Sequence, residues 1–171
     1  MRVATVAVVG IVVAVPCLAV AAPAELMNRS ITVSYTVTIP GRAQDGSPMR
    51  GARNTTRVFY ISSAGRVFSR VTRQDGPLTQ TKEAAPGDAA NTLRFEGSRL
   101  VGVMPFVSGA AQMTVSFGQG GESCNASIVV GRDSGRTLSW KGVNGKTYEA
   151  VGPATVSNVS CSISAGNAFA Q

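Results

Sequence analysis

The sequence predicts an all-β fold, either an antiparallel sandwich or a closed barrel of about 8–10 short strands, preceded by a signal segment. Three observations support this class. Apolar and polar residues alternate through residues 30–39, with the period of two that is typical of a half-buried strand. Short runs rich in β-branched and aromatic residues recur between Gly, Pro and Asn turn signals. Beyond the N-terminal segment, the apolar residues show no helical period.

The N-terminal segment has the three parts of a secretory signal peptide. Arg2 supplies a positive start, an uncharged apolar run fills residues 3–20, and small residues end it. We therefore expect residues 1–21 to be a signal peptide and residues 22–171 to be a single β domain, periplasmic or secreted and with no membrane span. The alternative is an uncleaved anchor, because about 20 apolar residues can span a bilayer.

The strand at residues 30–39 is expected to end at Pro40, and residues 41–56 are expected to form an exposed loop, because they combine turn residues with arginines and lack apolar rhythm. Residues 57–62 and 66–72 then predict a hairpin around Gly65. A two-residue turn at Ala64 and Gly65 would pair Ser63 with Arg66. That register would place one mixed group of aromatic, apolar and basic side chains on the same face: Phe59, Ile61, Phe68, Arg57, Arg66 and Arg70.

Further strands are predicted downstream of this hairpin. Asn144-Gly145 is a favoured two-residue hairpin turn, because both positions of a type I′ turn need positive φ. In the last strand, Val159, Cys161 and Ile163 alternate with serines and are expected to point inward. The predicted strands are residues 78–82 (weakly), 92–95, 99–107, 112–117, 126–130, 137–140, 146–151 and 155–164.

Removal of the signal segment takes away Cys17 and leaves two cysteines, Cys124 and Cys161. In an oxidising compartment two cysteines are most simply one disulfide, here joining two strands that are distant in sequence. Closing a loop of this span would stabilise the fold by about 3–4 kcal/mol. Two separate buried thiols are the alternative.

The charge distribution points to an anionic partner. The net charge is +7 with a pI near 10.0, and seven arginines fall in residues 42–73 with a single acid, Asp45. A basic face with aromatic residues can bind polyanions by charge and stacking. The partner would be an anionic envelope polymer, a lipid head group or a protein, with no specific nucleic acid. The alternative is a solubilising surface. The proposed contacts are Arg50, Arg53, Arg57, Arg66 and Arg70.

Residue types that support common catalytic mechanisms are missing. The chain has no histidine, which excludes Ser-His triads and the usual zinc ligand. No serine stands three residues before Lys82, Lys141 or Lys146, so the S-x-x-K order of a Ser-Lys pair is absent. We expect a non-catalytic domain without metal or cofactor. Two alternatives stay open: a lipocalin- or avidin-like barrel holding a small ligand, and an envelope hydrolase that uses paired carboxylates.

Three stretches resemble a family of small exported bacterial β-rich proteins of unknown function. They are YISSAGRVFSR at residues 60–70, CNA at residues 124–126 and CSISAGNAFA at residues 161–170. The resemblance implies export and pairing of the two cysteines, and it implies no activity.

Overall fold

Two antiparallel sheets contain nearly all the regular structure of the described residues, and the all-β prediction is confirmed. The computed structural model describes residues 21–89, 91–106, 109–131, 139–141 and 145–169. The strands are β1 Arg29–Ala43, β2 Pro48–Ile61, β3 Val67–Asp75, β4 Leu78–Ala84, β5 Arg94–Glu96, β6 Arg99–Phe106, β7 Gly109–Phe117, β8 Cys124–Val130, β9 Ser139–Lys141, β10 Thr147–Ala150 and β11 Thr155–Ala165. Two short 3₁₀ turns lie at Ala24–Leu26 and Gln119–Gly121.

The first sheet is curled and has β1 near its middle. On one side of β1 the order is β2, β3 and β4. On the other side β11 pairs with residues 29–38 of β1, while β10 pairs with residues 41–43 and carries β9. The second sheet has the order β5-β6-β7-β8. Parts of several predictions lie outside the described residues: signal residues 1–20, residue 107 of the predicted strand 99–107, residues 137 and 138 of the predicted strand 137–140, and Asn144 of the predicted hairpin turn.

The loop predicted for residues 41–56 is wrong, because most of it is strand. β1 continues to Ala43, β2 begins at Pro48, and the two strands pair without a break from Arg42–Pro48 to Arg29–Ile61. The turn is confined to residues 44–47, where Gly46 has φ +80°. Backbone pairing with a fully formed neighbouring strand therefore outweighs the weak strand propensity of this Gly- and Arg-rich segment.

The β2–β3 hairpin has a three-residue loop instead of the predicted two-residue turn. The backbone N–H of Ser62 donates to the carbonyl of Arg66, and Ile61 pairs with Val67. Gly65 has φ +71°, the left-handed conformation found in three-residue hairpin loops. The register therefore differs by one residue from the prediction, and such a slip moves side chains to the opposite face. Phe68 and Arg70 lie on the face opposite to Phe59.

The core lies between the two sheets. Alternate residues of β1, including Ile31 and Val33, are buried against the second sheet, whose contribution includes Leu100, Met113 and Val115. We call this side of the first sheet its inner face and the other side its outer face. The predicted alternation of residues 30–39 is confirmed on the inner face, where every odd-numbered residue from 31 to 39 is buried.

A disulfide links the two sheets. Cys124 at the start of β8 and Cys161 in β11 are bonded, with a Cα–Cα distance of 5.6 Å, so the predicted pairing is confirmed. The inward position predicted for Val159 is wrong. Asn158 has φ +53°, and two residues of β11 oppose Tyr35 in a β-bulge, which leaves Val159 exposed.

The described residues contain no helix that is both long enough and apolar enough to cross a membrane.

Candidate anion-binding site

The inner face of β2 changes from apolar to basic along the strand. Its two residues nearest the hairpin, Phe59 and Ile61, are fully buried in the core. Arg57 and Arg53 follow at the same two-residue period, opposite Val33 and Val37 of β1. Because side chains alternate between faces of a strand, both arginines lie on the inner face.

A third arginine comes from the neighbouring strand. Arg73 of β3 stands directly opposite Thr55, which separates Arg53 from Arg57 along β2. Residues diagonal to each other on adjacent antiparallel strands are about 7–8 Å apart at their Cα atoms, within reach of long side chains. Arg53, Arg57 and Arg73 therefore form one group on the inner face, which we call the inner arginine cluster.

The inner arginine cluster is only partly neutralised. Arg53 forms an ion pair with Asp75 at 2.7 Å. Arg57 donates from Nε to the hydroxyl of Tyr35 at 3.1 Å. In the part of the chain that the structure describes, neither Arg57 nor Arg73 lies within ion-pair distance of a carboxylate. Three positive charges thus share one negative charge.

Electrostatics at Arg73 reflect this excess. Burial lowers the pKa of the Arg73 guanidinium below its usual value, and the positive charges of Arg57 and Arg53 lower it further. Arginine nevertheless stays protonated in proteins. The group is therefore held charged in a place that disfavours its charge, and a bound anion would relieve that penalty.

Tyr35 adds a neutral donor to the same surface. Its side chain is only 4% exposed, and its hydroxyl accepts the bond from Arg57. A phenol oxygen that accepts one hydrogen bond still carries its own proton. Thr55, which lies between Arg53 and Arg57 and opposite Tyr35, carries a further buried hydroxyl on the same face. The inner face therefore offers guanidinium groups together with hydroxyl groups.

The outer face of the same strands uses its arginine differently. Arg70 donates from Nε to Glu83 at 2.7 Å and from a terminal nitrogen to the carbonyl of Phe169 at 3.2 Å. Its guanidinium carbon lies 4.6 Å from the centre of the Phe169 ring. Tyr60 in turn contacts the rings of Phe68 and Phe169 at 6.2 and 6.4 Å. Arg70 is thus occupied by contacts that hold the C-terminal segment.

The five predicted arginines therefore do not form one surface. The structure brings Arg53 and Arg57 together on the inner face. Arg50 is exposed on the outer face opposite Pro40, and Arg66 is exposed at the hairpin loop. Sequence reasoning missed Arg73, although a three-residue loop at Gly65 would have placed it beside Arg53 and Arg57.

Four of the eight side-chain carboxylates in the described ranges are held in ion pairs. Asp45, Asp75, Glu83 and Glu96 each contact a basic side chain. The ion pair with Lys146, helped by hydrogen bonds from Ser47, holds the pKa of the Asp45 carboxyl far below its usual range. No group of three His, Cys, Asp or Glu residues that could hold a metal ion occurs within the described residues.

Comparisons of this chain with protein-family models, with curated proteins and with solved structures find no match. The resemblance of residues 60–70, 124–126 and 161–170 to a family of small exported β-rich proteins therefore stays a prediction.

Proposed function

We propose that this chain is an exported, non-catalytic binding domain that holds an anionic component of the cell envelope on its inner arginine cluster. One observation carries the proposal: three guanidinium groups share a single carboxylate, that of Asp75, on a partly buried surface. Unpaired positive charge next to a core destabilises the folded state, and an anionic ligand would compensate that charge.

The chemistry of the cluster suits a carboxylate, sulfate or phosphate group. A guanidinium presents its N–H donors in a planar fork that matches two oxygens of such an anion. Arg57 is already oriented by its bond to the Tyr35 hydroxyl, so less side-chain freedom is lost on binding. Arg73 has no hydrogen-bond acceptor among the described residues, so all of its donors are available to a bound anion.

Two general features support an extracytoplasmic polyanion as the partner. The net charge of +7 attracts anionic polymers over distances up to about 10 Å at moderate salt. The disulfide between Cys124 and Cys161 is compatible with an oxidising compartment. Envelope polymers rich in acidic groups are the partners that both features favour.

Retention on a heparin column, followed by affinity measurement with the same polyanion, tests the proposal. Replacing Arg57 and Arg73 together with glutamine should weaken binding roughly 10-fold to 100-fold, since each change removes a charge-assisted contact. The matched control replaces Arg42 and Arg50, two exposed arginines of the same sheet, and removes the same total charge. It should weaken binding only slightly.

Equal loss of affinity in the two double variants would contradict the proposal, because binding would then follow net charge and not the inner cluster. Circular dichroism and a thermal melt of each variant show that the fold is retained. Equally strong retention of the wild-type chain on an uncharged matrix would also contradict it.

A further inference from the structure

The side chain of Asn91 has an orientation that its donors determine. Its Nδ2 donates to the carbonyl of Val67 at 3.0 Å and to the carbonyl of Ala85 at 3.1 Å. Two carbonyl acceptors can be served only by the NH₂ end of the amide, so the positions of nitrogen and oxygen are settled. The Oδ1 atom must therefore be on the other side of the amide.

This Oδ1 atom is a buried acceptor without a partner. It has no hydrogen-bond donor within range among the described residues. A buried carbonyl left without a donor destabilises the folded state, so such a group in a native structure calls for an explanation.

A small cleft connects Asn91 with the inner arginine cluster. It lies where the two sheets meet and is lined by Arg57 and Ser69 on one side, by Asn91 and Thr92, and by Met104 and Met113 of the second sheet. The cavity volume is about 20 Å³, which is enough for one water molecule or one hydroxyl oxygen. Arg57 thus belongs both to the cluster and to the cleft.

We propose that this cleft is a hydroxyl-binding subsite, and that the anion held by the inner arginine cluster is therefore an acidic saccharide. This inference rests on the proposed function. A hydroxyl group can both donate and accept, which suits a cleft lined by an unpartnered acceptor, Asn91 Oδ1, and by the Arg57 guanidinium. A sugar acid carries its hydroxyls within a few bonds of its carboxylate.

The position of the site favours a saccharide over a membrane surface. Arg57 of the cluster lines the cleft between the two sheets together with Met104, which is only 4% exposed. A bilayer presents its head groups on a broad, nearly flat surface that does not enter such a cleft, whereas a single ring hydroxyl of a sugar fits the available space.

The subsite is tested by two small ligands that share a carboxylate on a six-membered ring. Glucuronate has hydroxyl groups on that ring and cyclohexanecarboxylate has none. We expect the wild-type chain to bind glucuronate about three- to tenfold more tightly in an NMR titration, the range for one net hydrogen bond. The side-chain amide resonances of Asn91 should shift with glucuronate only.

Ser69→Val fills the cleft and leaves all three arginines in place, so it should abolish the preference for glucuronate without lowering the affinity for cyclohexanecarboxylate. The matched control is Ser127→Val on the exposed side of β8, which should keep the preference. The comparison of the two ligands on the wild-type chain needs no variant, so the subsite is still tested when Ser69→Val does not fold.

The outcomes separate the two proposals. Heparin binding that depends on Arg57 and Arg73, combined with equal affinity for the two carboxylates, would overturn the subsite and leave the proposed function standing. Heparin binding that is indifferent to both arginines would overturn the proposed function itself. Tight binding to phosphatidylglycerol vesicles with no preference for glucuronate would overturn the saccharide and assign a lipid instead.

Discussion

The inner and outer faces of β2 and β3 carry the same residue types and use them in opposite ways. On the outer face, Arg70 has a carboxylate, a carbonyl and an aromatic ring as partners, and all three contacts hold the chain together. On the inner face, Arg57 has a hydroxyl partner, and Arg73 stands next to two like charges. Arginines of both faces come from the same two strands. Their burial and their hydrogen-bond and ion-pair partners distinguish the two groups, whereas the residue type is the same.

The difference between the two faces indicates which arginines of a basic protein are available to bind a ligand. An arginine whose donors are used by the fold has little left for a ligand, however exposed it is. An arginine that lies against the core and has no carboxylate partner among the described residues lowers the stability of the fold. Natural proteins retain such destabilising groups mainly where binding or catalysis needs them.

The largest expected effect comes from the link that holds the second sheet over the inner face. Replacing both Cys124 and Cys161 with alanine should lower the free energy of unfolding by about 4 kcal/mol, because a closed loop of 37 residues is lost. Urea denaturation measures this. Alanines at the exposed neighbours Asn125 and Ser162 are the control and should cost far less. An unchanged urea midpoint in the cysteine double variant would show that the two sheets hold together without the link.

On the outer face, Phe169→Ala should lower the free energy of unfolding by about 1–2 kcal/mol. The change removes the ring that Tyr60 and Arg70 contact and loosens the C-terminal segment. Binding to heparin should stay at the wild-type level, since the inner face is untouched. A loss of heparin binding comparable with that of the Arg57 and Arg73 variants would mean that the outer face takes part in recognition.

Asp75→Asn should strengthen anion binding about threefold. The change frees Arg53 from its ion pair and adds a third uncompensated charge to the inner cluster. Stability should change by less than about 1 kcal/mol, because partly exposed ion pairs contribute little. Glu83→Gln removes the same negative charge from the outer face and is the matched control. If Glu83→Gln strengthened binding as much as Asp75→Asn, net charge and not position would explain the effect.

The smallest expected effect belongs to Asp45, at the β1–β2 turn and on neither functional surface. Its folded-state pKa is depressed by Lys146, so its stabilising effect is fully present above the unfolded pKa of about 4 and declines as the pH falls from there through the folded pKa. Asp45→Asn should therefore be slightly less stable than wild type at pH 7, with the difference shrinking steadily as the pH falls below about 4. A difference that grew as the pH fell would have the wrong sign for this ion pair.

The sequence predicts the class of this fold better than it predicts the site. The alternation at residues 30–39 corresponds directly to burial, and the two cysteines beyond the N-terminal segment, Cys124 and Cys161, leave little choice of pairing. The register of the hairpin depends on one residue of loop length at Gly65, and sequence reasoning chose the wrong length. With the observed three-residue loop, Arg70 and Phe68 lie on the outer face and Arg73 lies on the inner face, opposite to the predicted register.

The segment at residues 41–56 shows a second limit. Its glycines and arginines have weak strand propensity, and only pairing with β1 over the whole length of β2 makes it a strand. The position of Arg53 in the inner arginine cluster therefore depends on contacts between strands, which the local sequence does not reveal. The cleft beside Asn91 depends equally on long-range contacts, because it lies where the two sheets meet.

We propose that Arg73 contributes to anion binding, whereas Arg70 contributes to the stability of the fold. Replacing each in turn with methionine keeps most of the apolar stem and removes the charge. We predict that Arg73→Met is at least as stable as wild type in urea denaturation and binds heparin more weakly. Arg70→Met should lose about 1–2 kcal/mol of stability and bind heparin nearly as well as wild type. The opposite pattern, with Arg73→Met destabilised and still fully competent to bind, would contradict the account.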